Sequence, residues 1–483
     1  MTARTVPGPR PLPVLGTNGH LLRFALDPLA YTERLFAAYG PIAQLAQGST
    51  RPIVSTEKGV PGTVFLYGPE LNRRFLTEHD RFHKCALSGP LYPTDVERPR
   101  TRSLTRLLTG LFHVNGQEHR RQRRLLMPAF HKSRIESYRD DMVAIISSVL
   151  DKFQPGSVRD LRPDMLELTL RVAAKTLLGE DVAAESRHIA HDWQRWLELF
   201  RLAAALPFDR LGLPYEKFLD LSQTIDQKSL ALIRERRSSG ERGRDILSML
   251  LETTDENGEK LGDDELVGHV SVIFAAGHET SSNALCWTLL LLSQHPNVFG
   301  DLMDELDAVL KGEAPTVDEL ERLPLLERVV KESMCVLPAV PFNHRVCAEA
   351  TELGGFDVAR GTELISSIYR TQRMPELFPE PDRFRPARWE NLDPGPYVYN
   401  PFGSGPRMCI GAAFAMMEIR IALAMMLQRF RFELVAGTRI NRFLSITMAP
   451  RPGLTMRVHA QDRQFNASAR GFGGNVRQMV AFD

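Results

Sequence analysis

The chain is short of the features that mark several large protein classes. Five cysteines in 483 residues (Cys85, Cys286, Cys335, Cys347 and Cys409) make an odd count with no Cys-x-x-Cys pair. That argues against a disulfide framework or a structural zinc site and suits a reducing compartment. No sign of charge dominates: 60 Lys and Arg stand against 59 Asp and Glu, a net charge of +1. A nucleic-acid partner, which needs a strongly basic face, is therefore not expected. No apolar stretch is long enough to span a bilayer, and the Pro-rich start, Met1 to Pro13, has no hydrophobic signal core. The expectation is a soluble, cytoplasmic protein without a transmembrane segment. Repeats, low-complexity blocks and linker-like shifts of composition are also missing. One large domain over residues 1–462 is expected, followed by a loosely ordered tail, 463–483, that contains Asn466-Ala-Ser and Gly471-Phe-Gly-Gly474.

What the sequence does have is helical periodicity over most of residues 115–335, clearest at Ile135 to Phe153, Met165 to Leu178 and Glu216 to Arg237. Short strand-like runs lie at Ile42 to Leu45, Pro61 to Tyr67, Leu353 to Val358 and Leu454 to Val458. The fold class is mainly α with a smaller β portion. The spacing predicts one long helix from Asp263 to Gln294, about 48 Å at roughly 1.5 Å per residue. Asp263, Asp264 and Glu265 suit its N-terminus, and Pro296 stops it. In its middle stands Ala276-Gly277-His278-Glu279-Thr280. A mid-helix glycine costs about 1 kcal/mol relative to alanine, and the threonine hydroxyl competes for the Ala276 carbonyl, which opens or bends the helix. A zinc-protease reading of His278-Glu279 fails, because Ser282 stands where a second histidine is needed.

Near the C-terminus runs Phe402-Gly-Ser-Gly-Pro-Arg407-Met-Cys409-Ile-Gly411, followed directly by the helix-forming run Ala412 to Glu418. A thiol ahead of a helix N-terminus meets unpaired N–H groups and the positive end of the dipole, both of which favour the thiolate that ligates metal. Gly403, Gly405 and Gly411 allow a flat cofactor close to the backbone. Residue by residue, Phe-x-x-Gly-x-Arg-x-Cys-x-Gly resembles the haem-binding loop of the cytochrome P-450 family. Ala276-Gly277-x-Glu279-Thr280 resembles that family's oxygen-activation motif. The resemblance extends from the Pro-rich lead to about Val458.

The resemblance implies a b-type haem with Cys409 as the iron ligand and Phe402 and Gly411 on its loop. Thr280 would hold a proton-delivering water and Glu279 would relay protons from solvent. His119 and Arg123, at i and i+4 of one helix, would clamp the propionates together with Arg345 and Arg407. The basic residues Arg120, Arg121 and Arg124 are expected on a surface where an acidic electron donor docks. The implied reaction inserts one atom of O2 into a hydrophobic small molecule of fatty acid, terpenoid, steroid or polyketide type. Electrons come from NAD(P)H through a separate ferredoxin or flavodoxin and its reductase. Phe274, Leu206, Val340, Phe342 and Ile446 are expected to make the substrate pocket apolar. The alternatives are a peroxide-driven peroxygenase and a non-catalytic haem-binding member. One departure stands out: the family's Glu-x-x-Arg reads Glu332-Ser-Met-Cys335 here, so Glu332 and Arg388 are expected to pair without the usual third member.

Overall fold

The computed structural model describes residues 4–50, 52–55, 60–84, 98–179, 187–205, 212–239, 243–468 and 470–482. Cys85 and Leu206 lie outside them. Helices dominate, and their apolar faces join in one core that includes Trp193, Trp287, Phe218, Phe299 and Phe432. The helix Glu279–Gln294 is central to it: every residue from Ser281 to Ser293 is buried. A helix that is apolar all round belongs in such a position. Around it pack Leu161–Leu178, Pro324–Val336 and Ala412–Arg429. Among the described residues, no helix is long and apolar enough to cross a membrane.

The described strands form four separate sheets. The largest has five strands in the spatial order Ile42–Gln44, Thr63–Leu66, Glu363–Ser367, Phe342–Cys347 and Phe82–His83. Thr63–Leu66 and Glu363–Ser367 run parallel, and the other neighbours antiparallel. The run Leu353 to Val358 is not one strand. It straddles a tight hairpin, Thr351–Leu353 with Phe356–Val358, reversed at Gly354 and Gly355, both with positive φ. A second hairpin pairs Asn441–Leu444 with Met448–Arg451.

Residues 463–482 do not form the loose tail expected. Short 3-10 turns at Phe465–Ala467 and Asn475–Gln478 carry Val476, Met479 and Val480 into the main core, each almost fully buried. The Asn466 sequon is tied down as well: Ser468 is buried and its hydroxyl accepts from Arg431 at 3.1 Å.

Candidate functional site

The long helix is divided where its glycine stands. One helix spans Asp263–Gly277 and a second Glu279–Gln294, with His278 between them at φ −107°, ψ −47°. The cause is local. Thr280 Oγ1 donates to the Ala276 carbonyl at 2.8 Å, and His278 Nδ1 donates to the Phe274 carbonyl at 2.6 Å. Each side chain thus engages the carbonyl one turn back, the type of competition that opens a helix. Thr169, from the helix Leu161–Leu178, donates to the His278 carbonyl at 2.9 Å and fixes the break. Ala275, Ala276, Gly277, Glu279 and Thr280 are half-buried there. Glu279 faces Arg162 at 3.7 Å, a loose ion pair.

The cysteine loop is held by its own backbone. The Cys409 amide donates to the Phe402 carbonyl at 2.8 Å and the Gly403 amide to the Asn400 carbonyl at 2.9 Å. Gly403 and Gly405 have φ of 69° and 68°, and a Cβ on Gly405 would lie 2.6 Å from the Leu76 carbonyl oxygen. Gly411 and Gly277 differ: a Cβ would meet only Phe130 at 3.8 Å and Ala173 at 3.9 Å, ordinary contacts. The chain's own packing therefore does not require glycine at 277 or 411. Cys409 has accessible surface, yet it is surrounded by enough protein that burial pushes its thiol up, opposed by the Gly411 amide and by Arg123. That upward push runs against the thiolate preference expected of a helix N-terminus.

Three arginines and a histidine foreseen in the sequence, Arg123, Arg345, Arg407 and His119, come together. His119 is buried and held down at about 3, first by burial and then by Arg407, Arg123, His79 and Arg345. Arg407 is brought down to about 10 by burial and by Arg123. It donates to the Leu111 carbonyl at 3.0 Å and to Asn115 Oδ1 at 2.6 Å. Arg345 is buried in the strand Phe342–Cys347, with its guanidinium 5.4 Å from the Phe75 ring centroid. Among the described residues, no carboxylate pairs with Arg123 or Arg407. Two half-buried arginines without a carboxylate, Arg123 and Arg407, beside the imidazole of His119 fit the two propionates of the implied haem. The accessible sulfur and the two glycines that packing does not demand fit its iron and its faces.

Two residues of this region had no motif to reveal them. His113 is held at about 4 by burial, Lys84 and Arg407, and neither ring nitrogen has a partner among the described residues. Glu418, on the helix behind Cys409, is fully buried against Ser281, and burial pushes it up to about 8. Below about 4.5 this acid is neutral in both the folded and the unfolded chain. Between there and about 8 only the unfolded chain ionises, so stability falls as pH rises, by at most about 1.4 kcal/mol per pH unit. Glu418→Gln is expected to remove that slope and to melt higher than the parent at pH 8; parallel melting curves from pH 5 to 8 would contradict the assignment.

Other expected residues sit differently. Phe274 is no pocket wall. It is fully buried and stacked on Trp193, with centroids 6.4 Å apart and planes at 13°; one residue on, the helix turns Ala275 and Ala276 to the open face. Val340 and Phe342 are half-buried, and Ile446 is 39% exposed. The basic face is not bare: Arg120 pairs with Asp80 at 3.0 Å, Arg121 with Glu118 at 2.9 Å and Arg124 with Glu256 at 2.6 Å. Glu332, fully buried, accepts from Arg388 Nε at 3.0 Å, the Arg385 amide at 2.7 Å and Trp389 Nε1 at 2.7 Å. The position of the absent third member is closed: Cys335 is 2% exposed. Arg373 lies close enough to oppose the upward push of burial on the Cys335 thiol.

Residues 6–456 match the family described as cytochrome P-450. Among curated proteins, the chain is 31% identical to cyclooctat-9-en-7-ol 5-monooxygenase of Streptomyces melanosporofaciens, over 91% of either chain. It is also 31% identical to pentalenene oxygenase of Streptomyces avermitilis, over 89% of this chain and 91% of that one. Among solved structures, the haem domain of cytochrome P450DA superposes with a TM-score of 0.81 at 26% identity, covering 96% of this chain and 99% of that one.

Proposed function

Because this chain belongs to the cytochrome P-450 family and is one of its monooxygenases, we propose that it oxygenates an apolar terpenoid-type small molecule at the Cys409 site. The observation that carries the reading is the convergence of Arg123, Arg345 and Arg407 on His119 beside an accessible cysteine, with no carboxylate paired to Arg123 or Arg407 among the described residues. Cys409 would ligate the iron of haem b, His119, Arg123, Arg345 and Arg407 would hold its propionates, and Gly277 and Gly411 leave room for its faces. When bound, the haem supplies the electron-accepting and oxygen-activating chemistry.

The remaining work is done by the chain's own groups. Thr280 Oγ1 donates its hydrogen bond to the Ala276 carbonyl, which leaves its lone pairs to hold a water by accepting a hydrogen bond. Glu279, only loosely tied to Arg162, relays protons from solvent to that water. Val340, Phe342 and Ile446, with the Ala275–Ala276 face, present apolar surface that orients a hydrocarbon skeleton and excludes water. Terpenoid skeletons are favoured over fatty acids, steroids and polyketides by the substrates in the names of the two Streptomyces relatives. Electrons reach the site from NAD(P)H through a separate ferredoxin or flavodoxin and its reductase.

Thr280→Ala is the direct test. The variant should keep haem and the Soret shift on ligand binding, but most of the NADPH consumed should appear as peroxide instead of product. Consumption, peroxide and product are measured together with surrogate redox partners. Coupling equal to the parent would remove Thr280 from proton delivery, and no product from a terpenoid panel would reject the substrate class.

A further inference from the structure

Residues 471–482 lie beyond the matched span of the family, and they pack against the hairpin that carries Ile446 of the proposed pocket. The segment runs beside the lead-in to the hairpin Asn441–Arg451. The Gly437 amide donates to Gly471 O at 3.1 Å, the Gly473 amide to Thr438 O at 2.9 Å and the Ile440 amide to Gly473 O at 2.9 Å. Approach is so close at Gly474, φ 110°, that a Cβ there would lie 2.0 Å from the Ile440 carbonyl oxygen; only glycine permits it.

From there the segment grips the first strand of the hairpin. Asn475 Oδ1 accepts from the Arg442 amide at 2.7 Å, and Asn441 Oδ1 accepts from the Asn475 amide at 2.9 Å. The Arg442 side chain, almost buried, donates to the Asn475 carbonyl at 2.6 Å and to Gln478 Oε1 at 3.1 Å, and it reaches Asp27 at 2.8 Å. The far end of the segment is anchored separately. The Ala481 amide donates to the Asp382 carbonyl at 2.8 Å, and Arg373 donates to the Met479 carbonyl at 2.7 Å.

What the hairpin carries gives this grip its meaning. Its tip, Ser445 to Thr447, is stapled to the helix that begins at the oxygen-site pair. Asn283 Nδ2, one turn beyond Thr280, donates to Thr447 Oγ1 at 3.2 Å, and Trp287 Nε1 donates to the Met448 carbonyl at 3.0 Å. The Met448 amide donates to the Ala339 carbonyl at 2.8 Å, next to Val340. Ile446, between these ties, is the tip's accessible apolar side chain.

We propose that the 471–480 segment is a specificity-determining element: by fixing Arg442 it sets the position of the hairpin tip, and so of Ile446, against an apolar substrate. Asn475 and Gln478 are positioning residues that act through Arg442. The inference rests on the proposed haem site and pocket, and its test separates the two.

The full-length holoenzyme carrying Asn475→Ala with Gln478→Ala is titrated with two nitrogen ligands followed by the Soret shift. Imidazole reports on the iron alone, whereas 4-phenylimidazole adds an apolar group that needs the pocket wall. Expected are an imidazole Kd within twofold of the parent and a 4-phenylimidazole Kd weakened about tenfold. Faster amide hydrogen exchange over residues 443–448 should accompany the change. The control Arg470→Ala removes a pairing with Glu433, at 2.9 Å, away from the hairpin, and should leave both affinities unchanged. Gln478→Ala alone, with a smaller shift in the same direction, serves if the double variant fails to fold. Equal affinities for both ligands in variant and parent would overturn the inference. So would equal weakening of both ligands, which would make the segment a general clamp. A parent that gives no thiolate-type Soret spectrum would instead reject the haem reading itself.

Discussion

Cys409→Ser is expected to abolish the thiolate-type band of the reduced, carbon monoxide-treated protein and to reduce product formation below detection. A serine hydroxyl is a far weaker donor to iron than a thiolate. The site gives the substitute little help. Burial already holds the native thiol up, opposed only by the Gly411 amide and Arg123; these cannot deprotonate an alcohol. The loop itself should survive, since its fixing contacts are the Cys409 and Gly403 amides and not the side chain. Haem content is therefore expected to fall less than activity. A variant that keeps the thiolate band would remove Cys409 from the ligand position.

Arg388→Ala is the second large effect, and it acts on folding. Removing one partner of a buried ion pair costs roughly 3–5 kcal/mol, because the other charge is left without compensation. Glu332 is fully buried and Arg388 nearly so, at 3.0 Å. Burial pushes Glu332 up in spite of Arg388, so the acid can take a proton in the variant, which places the cost nearer 3 than 5. The guanidinium also donates to the Glu380 and Arg383 carbonyls at 3.0 and 2.9 Å, and its loss frees that turn from the helix Pro324–Val336. Chemical denaturation with haem release as a second signal measures the effect. A loss under about 1 kcal/mol would mean that the Arg385 amide and Trp389 satisfy Glu332 by themselves.

Sequence reasoning about the candidate site had most to hold on to where several constrained residues stood together. Phe402 to Gly411 and Ala276 to Thr280 each combine glycines with a reactive side chain at fixed spacing, and such combinations leave few structural solutions. Periodicity found the helices but not the phase of a single residue: Phe274 and Ala275 differ by one step around the helix, enough to exchange a core position for an open one. His113 and Glu418 were not legible, since a lone titratable residue has no pattern until the fold surrounds it. The pairing of Arg120 and Arg124 depends on Asp80 and Glu256, far away in the chain, so the neutralised face could not be read locally. The 471–482 segment misled for a physical reason. Its glycines suggested freedom, whereas Gly474 permits a backbone contact too close for any side chain.

The cations around His119 bear on how the protein comes to exist at all. Arg407 is held near 10 by burial and by Arg123, and His119 near 3, which leaves it uncharged at neutral pH; an entering dianion would meet the charge of the arginines and accept from the imidazole. Any ligand that binds only the folded state adds its binding free energy to stability, about 2.7 kcal/mol at a hundred times its Kd. Folding and loading are then one equilibrium. Expression with and without added porphyrin precursor is then expected to differ in its yield of intact protein.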